Sequence, residues 1–310
     1  MKIMTIQEAF YKKFKRQRDV DALEYHASGH CAHIGKLSPG CKKCFVPDDF
    51  SCNILCGIEC NLNCAYCPVK KEENSFKDII FQKRRSSLYQ CATTTDLSYT
   101  IPSVAFSGEG DPLMHMNVII DFMKFLNGLE QYMKKRPWYY LYTNGIKADL
   151  DIILRLKDLG FDEIRFHTGA SNFSKKVYEN MKLAVPHLKA ITVETPAWPP
   201  HREKLFEMLP IIQDIGVKHL NIGEVEITQE NYDRISKILP NAEIYQCYGI
   251  NLYDDGLTYD LVEEVLKRGY TYSVLDCNCL TKSIQRTPGK QVCHENVDGL
   301  CAEYEIVISE

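Results

Sequence analysis

The chain has 310 residues, of which 45% are apolar and 25% charged, and its formal net charge is -4. This is the composition of an ordinary globular protein, and the mildly acidic balance argues against a nucleic-acid partner. The sequence contains no apolar run long enough for a membrane span and no apolar N-terminal segment of the secretory type. We therefore expect a cytoplasmic protein that does not enter a membrane.

Cysteine is used far more often than in most chains of this size, with 14 in total. Eight lie between residues 31 and 67 and four between residues 277 and 301. In a cytoplasmic chain, clustered cysteines indicate metal binding rather than a disulfide framework.

The N-terminal segment, residues 1–20, has an amphipathic pattern with several basic residues. They are Lys12, Lys13, Lys15, Arg16 and Arg18. We interpret them as the solvated face of a helix. The alternative is a clamp for an acidic peptide or a nucleic-acid backbone.

Residues 26–49 are predicted to form a loop, with a turn at Pro39-Gly40. The spacing Cys41-x2-Cys44 is typical of a metal knuckle, and Cys31 supplies a third thiol nearby. We predict an N-terminal metal site on Cys41 and Cys44, with Cys31 or a nearby His as the third ligand and Cys52 or Cys56 as the fourth. The alternative is a set of reduced cysteines packed as small apolar residues.

Strand-like apolar runs alternate with helical periodicity from residue 51 onwards. The six predicted strands are Ser51–Ile58, Ile101–Phe106, Trp138–Tyr142, Asp162–Phe166, Lys189–Glu194 and Lys218–Ile222. The predicted helices are Val118–Met133, Leu150–Leu159, 172–184, Arg202–Ile215 and 229–239. Repeated strand–helix units predict an α/β fold, here a partial (β/α)6 TIM-type barrel with cysteine-rich N- and C-terminal extensions.

The pattern changes after Ala242, where short strands at Glu243–Cys247 and Tyr270–Val274 flank a helix at Tyr259–Lys267. We therefore divide the chain into an extension over 1–49, the barrel over 50–241 and a C-terminal cysteine-rich region over 242–310.

The first barrel strand leads into a short loop with three cysteines, Cys60, Cys64 and Cys67, spaced C-x3-C-x2-C. Thiolates are the usual ligands of iron–sulfur clusters, and three of them leave one iron of a [4Fe-4S] cluster without a ligand from the loop. The alternative is a cysteine-rich turn that holds zinc or forms disulfides, although structural zinc prefers four ligands.

This loop resembles the cluster motif of the radical S-adenosylmethionine (SAM) superfamily, in which an aromatic residue, here Tyr66, precedes the last cysteine. The resemblance implies that the open iron chelates SAM. Electron transfer from the cluster would then yield methionine and a 5′-deoxyadenosyl radical that removes a hydrogen atom from the substrate. It also implies a reductant such as flavodoxin or ferredoxin. The flanking cysteine segments look like a branch related to pyruvate formate-lyase activating enzymes.

Other motifs at predicted strand ends resemble the family's SAM contacts. Ser107-Gly108-Glu109-Gly110-Asp111-Pro112 is similar to the Gly-Gly-Glu-Pro motif but departs from it at Gly110-Asp111, so the match carries to Gly108 and Glu109. Thr143-Asn144-Gly145 follows the third strand, and we expect Asn144 to face the cofactor. His167 and Glu194 end the fourth and fifth strands, where the family meets the SAM ribose and carboxylate. His167 could equally be a core histidine, whereas a carboxylate at Glu194 has little structural purpose.

The C-terminal cysteines Cys277, Cys279, Cys293 and Cys301 are enough for an auxiliary iron–sulfur cluster or one zinc ion. With the N-terminal cysteines, they predict one or two auxiliary clusters. Cys247 stands alone near a strand end. We consider it a hydrogen-atom donor to a substrate radical or, alternatively, a buried thiol.

The sequence thus predicts a radical SAM enzyme that acts on a peptide or protein side chain. Activation of a glycyl-radical partner and small-molecule rearrangement are alternatives within the same chemistry. A protein of a different class, an iron–sulfur electron carrier, would neither bind nor cleave SAM.

Overall fold

Strands and helices alternate through most of the computed structural model. The structure describes residues 1–26, 31–44, 51–68, 103–108, 110–133, 135–247 and 249–279. The strands are β1 (Lys2–Ile3), β2 (Glu24–His26), β3 (Cys31–Ile34), β4 (Ser51–Leu55), β5 (Ser103–Ser107), β6 (Trp138–Thr143), β7 (Glu163–Phe166), β8 (Ala190–Pro196), β9 (His219–Gly223), β10 (Glu226–Ile227), β11 (Glu243–Gln246), β12 (Ile250–Leu252) and β13 (Ser273–Cys277). The α-helices are α1 (Ile6–Arg18), α2 (Pro39–Cys44), α3 (Met116–Leu129), α4 (Leu150–Leu159), α5 (Lys175–Ala184), α6 (Arg202–Ile215), α7 (Gln229–Ile238) and α8 (Leu257–Arg268).

The larger sheet has the strand order β2-β3-β13-β9-β8-β7-β6-β5-β4. Strands β4 to β9 and β13 form one parallel run, and at its β13 edge β3 pairs antiparallel with β13 and β2 antiparallel with β3. Because the parallel strands share one direction, their carboxyl ends meet at one side of the sheet. A smaller sheet has the order β1-β11-β12-β10.

Local sequence signals set the ends of the helices. Asp149 caps α4 by accepting a hydrogen bond from the Ile152 N–H, and Gly160 ends this helix in the left-handed region at φ 99°. The strands that follow are apolar on the face that packs against the helices, as at Ile164 and Phe166 of β7, both fully buried. This alternation gives the sheet a hydrophobic layer on one face and leaves the other face for polar side chains.

The opposite face of the parallel sheet carries a buried polar network. The Arg165 guanidinium donates to Glu163 at 2.9 Å and to the Tyr142 hydroxyl at 3.0 Å. Ser38, just before α2, also joins this network by donating to Glu163 at 2.8 Å. Residues at the start of α2 therefore lie against the polar face of the sheet.

The prediction of an α/β fold with a parallel sheet is confirmed, and all six predicted strands coincide with β4 to β9 within a few residues. The parallel run is longer than six strands, because β13 continues it next to β9. Closure into a partial barrel stays a prediction. The loop predicted over residues 26–49 is wrong in part, since β3 and α2 fall within it.

The division of the chain into three regions, with boundaries at 49/50 and 241/242, stays a prediction. Strand pairs nevertheless join residues on opposite sides of each boundary. β13 pairs with β9 on one side and with β3 on the other. Among the helices of the described residues, none combines the length and apolar character that a membrane crossing requires.

The basic face predicted on α1 is only partly solvated. Lys13 is buried and forms an ion pair with Glu224, the residue after β9. On the same face of the helix, Gln17 donates to the Tyr259 hydroxyl at 2.6 Å. The buried face of α1 therefore includes polar side chains that dock on polar partners, which the charge pattern alone did not reveal.

Candidate active site

The loop of residues 56–68, which we call the cysteine loop, leaves β4 at the carboxyl side of the parallel sheet. It starts beside β5, where the Cys56 N–H donates to the Ser107 carbonyl at 2.7 Å. Cys60, Cys64 and Cys67 are all partly exposed, and none of them is in a disulfide. Contacts from the ends of several strands hold the loop in place.

Asn144, at the end of β6, contacts the first part of the cysteine loop. Its side-chain amide donates to Asn61 Oδ1 at 2.7 Å and lies 3.8 Å from Cys60 Sγ. The Asn144 backbone N–H donates to Asp111 at 2.6 Å, and the Asp111 carboxylate also accepts from Thr143. Asp111, which departs from the family motif, thus fixes the residue that orients the loop.

The Asp111 carboxylate is almost completely buried. Burial raises its pKa, while hydrogen bonds from the Asn144 and Leu113 backbone N–H groups act in the opposite direction. A buried carboxylate with this many donors is costly to replace, because each donor would lose its acceptor.

Two glycines after β5 allow the chain to approach the cysteine loop closely. A Cβ on Gly108 would lie 2.7 Å from the Gly57 carbonyl oxygen, and one on Gly110 would lie 2.0 Å from the Glu59 oxygen. The Gly110 N–H donates to the Gly57 carbonyl at 3.1 Å. Both positions require glycine because the backbone of the cysteine loop lies where a side chain would begin. Glu109, the other predicted cofactor residue here, lies outside the described residues.

The second half of the cysteine loop is held by α7 and the residue before it. Arg234 donates to the carbonyl oxygens of Ala65 at 3.1 Å and Cys67 at 2.9 Å. Asn231 donates to the Tyr66 carbonyl at 3.1 Å, and Thr228 to the Pro68 carbonyl at 2.9 Å. The carbonyl groups next to the cysteines thus receive side-chain donors from one helix.

Tyr66 is buried in an aromatic cluster at the ends of β7 and β8. Its ring is stacked with His167, with centroids 5.8 Å apart, and lies 5.5 Å from the Trp198 ring. The Ala170 N–H donates to His167 Nδ1 at 3.0 Å. Burial lowers the pKa of His167 to about 4, so the ring is neutral near pH 7.

Two hydroxyl groups in this region are buried without a hydrogen-bond partner, those of Tyr66 and Thr195. Both oxygens lie within 3.0 Å of the position that a Cβ on Gly169 would occupy. Buried hydroxyls are normally hydrogen-bonded. A polar ligand or a water molecule close to both hydroxyls would supply the missing hydrogen bonds.

Glu194 has a structural partner, so the premise that its carboxylate serves little structural purpose is wrong. The Arg165 guanidinium donates to Glu194 at 3.1 Å, and Asn221 donates to the same oxygen at 3.0 Å. The sequence did not reveal this because Arg165 and Asn221 lie on the two neighbouring strands. A contact of Glu194 with SAM stays a prediction.

The other predicted metal ligands occupy different places. Cys41 is buried with Leu275, accepts a hydrogen bond from Asn221 at 3.3 Å, and has the partly buried Cys277 packed against its cluster. Cys279 lies in another cluster, with Tyr245 and Cys247. The described residues thus put Cys277 and Cys279 in separate clusters, and the auxiliary clusters remain predictions.

Several predicted ligands lie where the structure gives no side chain. Cys293 and Cys301 lie outside the described residues, and for Cys31 and Cys44 only the backbone is described. Cys247 follows β11 and packs with Cys279 rather than in the cluster that holds Tyr66. Its role as a hydrogen-atom donor stays a prediction.

The residues of the cysteine loop fit an iron–sulfur cluster by their donor chemistry. Three thiols lie on one short loop next to a pair of unpartnered hydroxyls. In the described part of the chain, no group of three or more His, Cys, Asp or Glu side chains is arranged as a metal site. The fit therefore rests on the kind and spacing of the donors.

Sequence reasoning missed most residues that hold the loop, namely Asp111, Thr228, Asn231 and Arg234, and it also missed the buried hydroxyl of Thr195. Only Asp111 carried a signal, its position directly before Pro112 in a motif after a strand. The others are ordinary polar residues in the sequence, and only the fold brings them to the loop.

Comparisons with known proteins identify a sequence relative and solved structures of the same fold. No family model matches the chain. The chain is 28% identical over 214 residues to a protein of Methanocaldococcus jannaschii that is provisionally described as a glycyl-radical enzyme activating enzyme, with 66% of this chain and 54% of that protein covered.

Two solved structures share the fold. One is anSMEcpe with bound AdoMet and the Cp18Cys peptide, at 16% identity and a TM-score of 0.50, over 73% of this chain and 63% of that one. The other is SuiB of Streptococcus suis bound to the precursor peptide SuiA, at 11% identity and a TM-score of 0.52. The match covers 88% of this chain and 60% of SuiB. The chain spans less than two thirds of each of these three proteins.

Proposed function

We propose that this chain, a member of the radical SAM superfamily, is an enzyme that binds SAM at an iron–sulfur cluster on the cysteine loop and abstracts a hydrogen atom from a peptide or protein substrate. The observation that carries this proposal is the placement of Cys60, Cys64 and Cys67 at the carboxyl side of a parallel sheet, held by the neighbouring strand ends. Active sites of barrel-type sheets lie on this side.

When bound, a [4Fe-4S] cluster and SAM would supply a 5′-deoxyadenosyl radical. Cys60, Cys64 and Cys67 would hold the cluster. Asn144 holds the side chain of Asn61, and Arg234 holds the carbonyl groups of Ala65 and Cys67, so the loop needs little reordering on binding.

The aromatic cluster fits the nucleoside part of SAM. The neutral, partly exposed His167 is stacked on the buried Tyr66 and offers a flat surface, and the unpartnered hydroxyls of Tyr66 and Thr195 offer polar contacts. Since burial lowers the pKa of His167 to about 4, it acts here as a neutral platform and hydrogen-bonding group, not as a cation.

A peptide or protein substrate is supported by what the similar proteins bind. The two structures that share the fold were solved with the Cp18Cys and SuiA peptides. The provisional description of the M. jannaschii protein favours a second candidate, activation of a glycyl-radical enzyme.

Iron content and EPR spectra would test the proposal. We expect about four irons that depend on the cysteine loop and respond to SAM by a changed spectrum, and 5′-deoxyadenosine after reduction with dithionite. Iron beyond these four would belong to auxiliary clusters. The triple variant C60A/C64A/C67A should lose this signal. The matched control is C56A, which removes the core-buried thiol at the first residue of the cysteine loop. A spectrum that SAM leaves unchanged, with no 5′-deoxyadenosine, would instead identify an electron carrier.

A second experiment separates the two substrate classes. The reduced protein is incubated with SAM and either a cysteine- or serine-containing peptide library or a candidate glycyl-radical enzyme. Peptides of changed mass support peptide modification. A stable protein-borne doublet in the EPR spectrum of the partner supports glycyl-radical activation.

A further inference from the structure

Exposed apolar side chains are concentrated in the first 25 residues. Of ten large apolar side chains that are exposed in the described residues, four lie in this segment: Ile3, Tyr11, Phe14 and Tyr25. Tyr11 is 66% exposed and Phe14 55%, and both belong to α1. A single exposed apolar residue needs no explanation, but two aromatic rings on one helix indicate a binding surface.

The two rings share one side of α1 with two basic residues. Tyr11, Phe14, Lys15 and Arg18 are spaced i, i+3, i+4 and i+7, which places them on the same side of the helix. All four are exposed, whereas Lys13 on the opposite side is buried. We call these four residues the outer face of α1.

The cations of the outer face are free to receive a partner. On the side of α1 that packs against the protein, Arg16 forms an ion pair with Asp260 at 2.6 Å. Among the described residues, no carboxylate forms such a pair with Lys15 or Arg18. The Arg18 guanidinium lies over the Phe14 ring, 5.1 Å from its centroid. This stacking holds the guanidinium in place and leaves its N–H groups for an acceptor.

We infer that the outer face of α1 binds an acidic segment of the peptide or protein substrate that also carries an apolar side chain. Its two cations match carboxylates, and its two rings match aliphatic or aromatic groups. The inference rests on the proposed function only for the class of the partner, because the surface itself takes no part in the radical chemistry.

The size of the outer face favours a short segment over a folded protein. From Tyr11 to Arg18 the helix rises about 10 Å, which three or four residues of extended peptide span. A stable interface between two folded proteins takes roughly 20–30 residues on each side. Four side chains are too few for that and enough for a short segment.

The charges around the outer face argue against a nucleic acid. Glu8 precedes the face along α1, and the exposed Asp19 and Asp21 follow it. A nucleic-acid backbone carries a negative charge at every phosphate and would meet these carboxylates. A short acidic segment can end before it reaches them.

The outer face lies apart from the cysteine loop. The inner side of α1 packs in the cluster of Tyr245 and Tyr253, whereas Tyr66 of the loop belongs to another cluster. A segment bound to the outer face therefore does not contain the residue that reacts. It tethers the substrate and raises the local concentration of its reacting part.

Selection from a peptide library tests the inference without SAM or a reductant. The full, cluster-loaded chain and its variant K15E/R18E are immobilised in parallel and exposed to a synthetic library of random decapeptides. We expect peptides that are enriched about tenfold on the unmodified chain over the variant, because each reversal replaces an attraction by a repulsion. These peptides should contain more Asp and Glu than Lys and Arg, and at least one apolar residue.

Binding of one enriched peptide is then measured by fluorescence anisotropy. The variants K15E/R18E and Y11S/F14S should each bind it about tenfold more weakly, and salt should weaken its binding to the unmodified chain. The control is R155E/K157E, which makes the same change in net charge at two exposed positions of α4 and should bind normally. If charge reversal disturbs α1, the neutral variant K15Q/R18Q replaces K15E/R18E.

Four results would overturn the inference. They are a library without peptides that distinguish the unmodified chain from the variants, enriched peptides that are neutral or basic, an equal loss of binding in R155E/K157E, and tighter binding of a single-stranded oligonucleotide in the same assay. None of them affects the proposed function, which fails instead if the reduced chain yields no 5′-deoxyadenosine from SAM.

Discussion

The ring of Tyr66 is stacked on the imidazole of His167, with the two planes inclined by 13°. Tyr66 belongs to the cysteine loop, whereas His167 ends β7, so this contact joins the loop to the middle of the sheet. Since burial lowers the pKa of His167 to about 4, the contact exists with a neutral imidazole over the physiological range.

This pKa predicts a pH dependence of stability. Between the ordinary histidine pKa of about 6.5 and about 4, the unfolded chain binds a proton at this position more readily than the folded chain. Stability should therefore fall as the pH is lowered through this window, by roughly 3 kcal/mol for this group alone. Urea unfolding at pH 7.5, 5.5 and 4.5 measures the loss.

The matched variant is H167Q, which keeps a polar side chain of similar size but cannot titrate in this range. The free energy of unfolding should depend less steeply on pH in H167Q than in the unmodified chain. Equal slopes for the two proteins would mean that His167 keeps an ordinary pKa in the folded state.

Asp111 provides a second prediction, because its carboxylate accepts hydrogen bonds from two backbone N–H groups and from Thr143. The variant D111N replaces one acceptor oxygen by an NH₂ group. This group donates hydrogen bonds and would face another donor. We expect a loss of about 2–3 kcal/mol in the free energy of unfolding and a lower iron content after reconstitution.

Asp149 supplies the control for D111N. It caps the exposed end of α4 by accepting one N–H, and asparagine caps helices about as well as aspartate. D149N should therefore change neither stability nor iron content appreciably. Similar losses in both variants would show that the effect does not come from the network around Asn144.

The contrast between Asp111 and the cysteines shows what sequence alone could reveal. Cys60, Cys64 and Cys67 are close in sequence, so their spacing alone predicts that they lie on one loop. Asp111 acts on Asn144 more than thirty residues away, and Arg234 reaches the loop from α7. Contacts of this kind exist only when the sheet is assembled, so no local pattern predicts them.

The same reason explains the errors in the fold. The alternation of apolar residues predicted β4 to β9, because each strand carries its own pattern. β13 was predicted as a strand but not as part of the parallel sheet. Its partner β9 is separated from it along the chain by β10, β11, β12 and two helices. The buried role of Lys13 was missed because its partner Glu224 is remote in sequence.

Arg234 gives a prediction about the stability of the bound cluster. Its guanidinium donates to the carbonyl groups of Ala65 and Cys67, which flank the last cysteine. R234A should loosen this half of the loop by about 1–2 kcal/mol and speed the release of iron to a chelator several-fold. Lys237 lies one turn later on the exposed face of α7, and K237A should release iron at the unmodified rate. Equal rates for R234A and the unmodified chain would show that the loop keeps its shape without Arg234.

Arg165 gives the last prediction, about the polar face of the sheet. Its guanidinium lies among Glu163, Glu194 and Tyr142 and is nearly inaccessible to water. R165M would leave the fully buried Glu163 without its cation, and removal of one partner from a buried ion pair typically costs about 3–5 kcal/mol. The control is R155M on the exposed side of α4, which should stay within about 0.5 kcal/mol of the unmodified chain.

The double variant E163Q/R165M separates the lost charge pair from lost packing. Burial raises the pKa of Glu163, but the Arg165 cation and hydrogen bonds from Thr192, Trp138 and Ser38 together lower this pKa below its usual value. Glutamine removes the uncompensated charge and keeps one acceptor oxygen, which serves either Thr192 or Ser38 because these hydroxyls donate to different oxygens of Glu163. The double variant should therefore be more stable than R165M alone by urea unfolding. If it is equally unstable, the loss in R165M comes from the cavity and from the stacking of Arg165 on Tyr140.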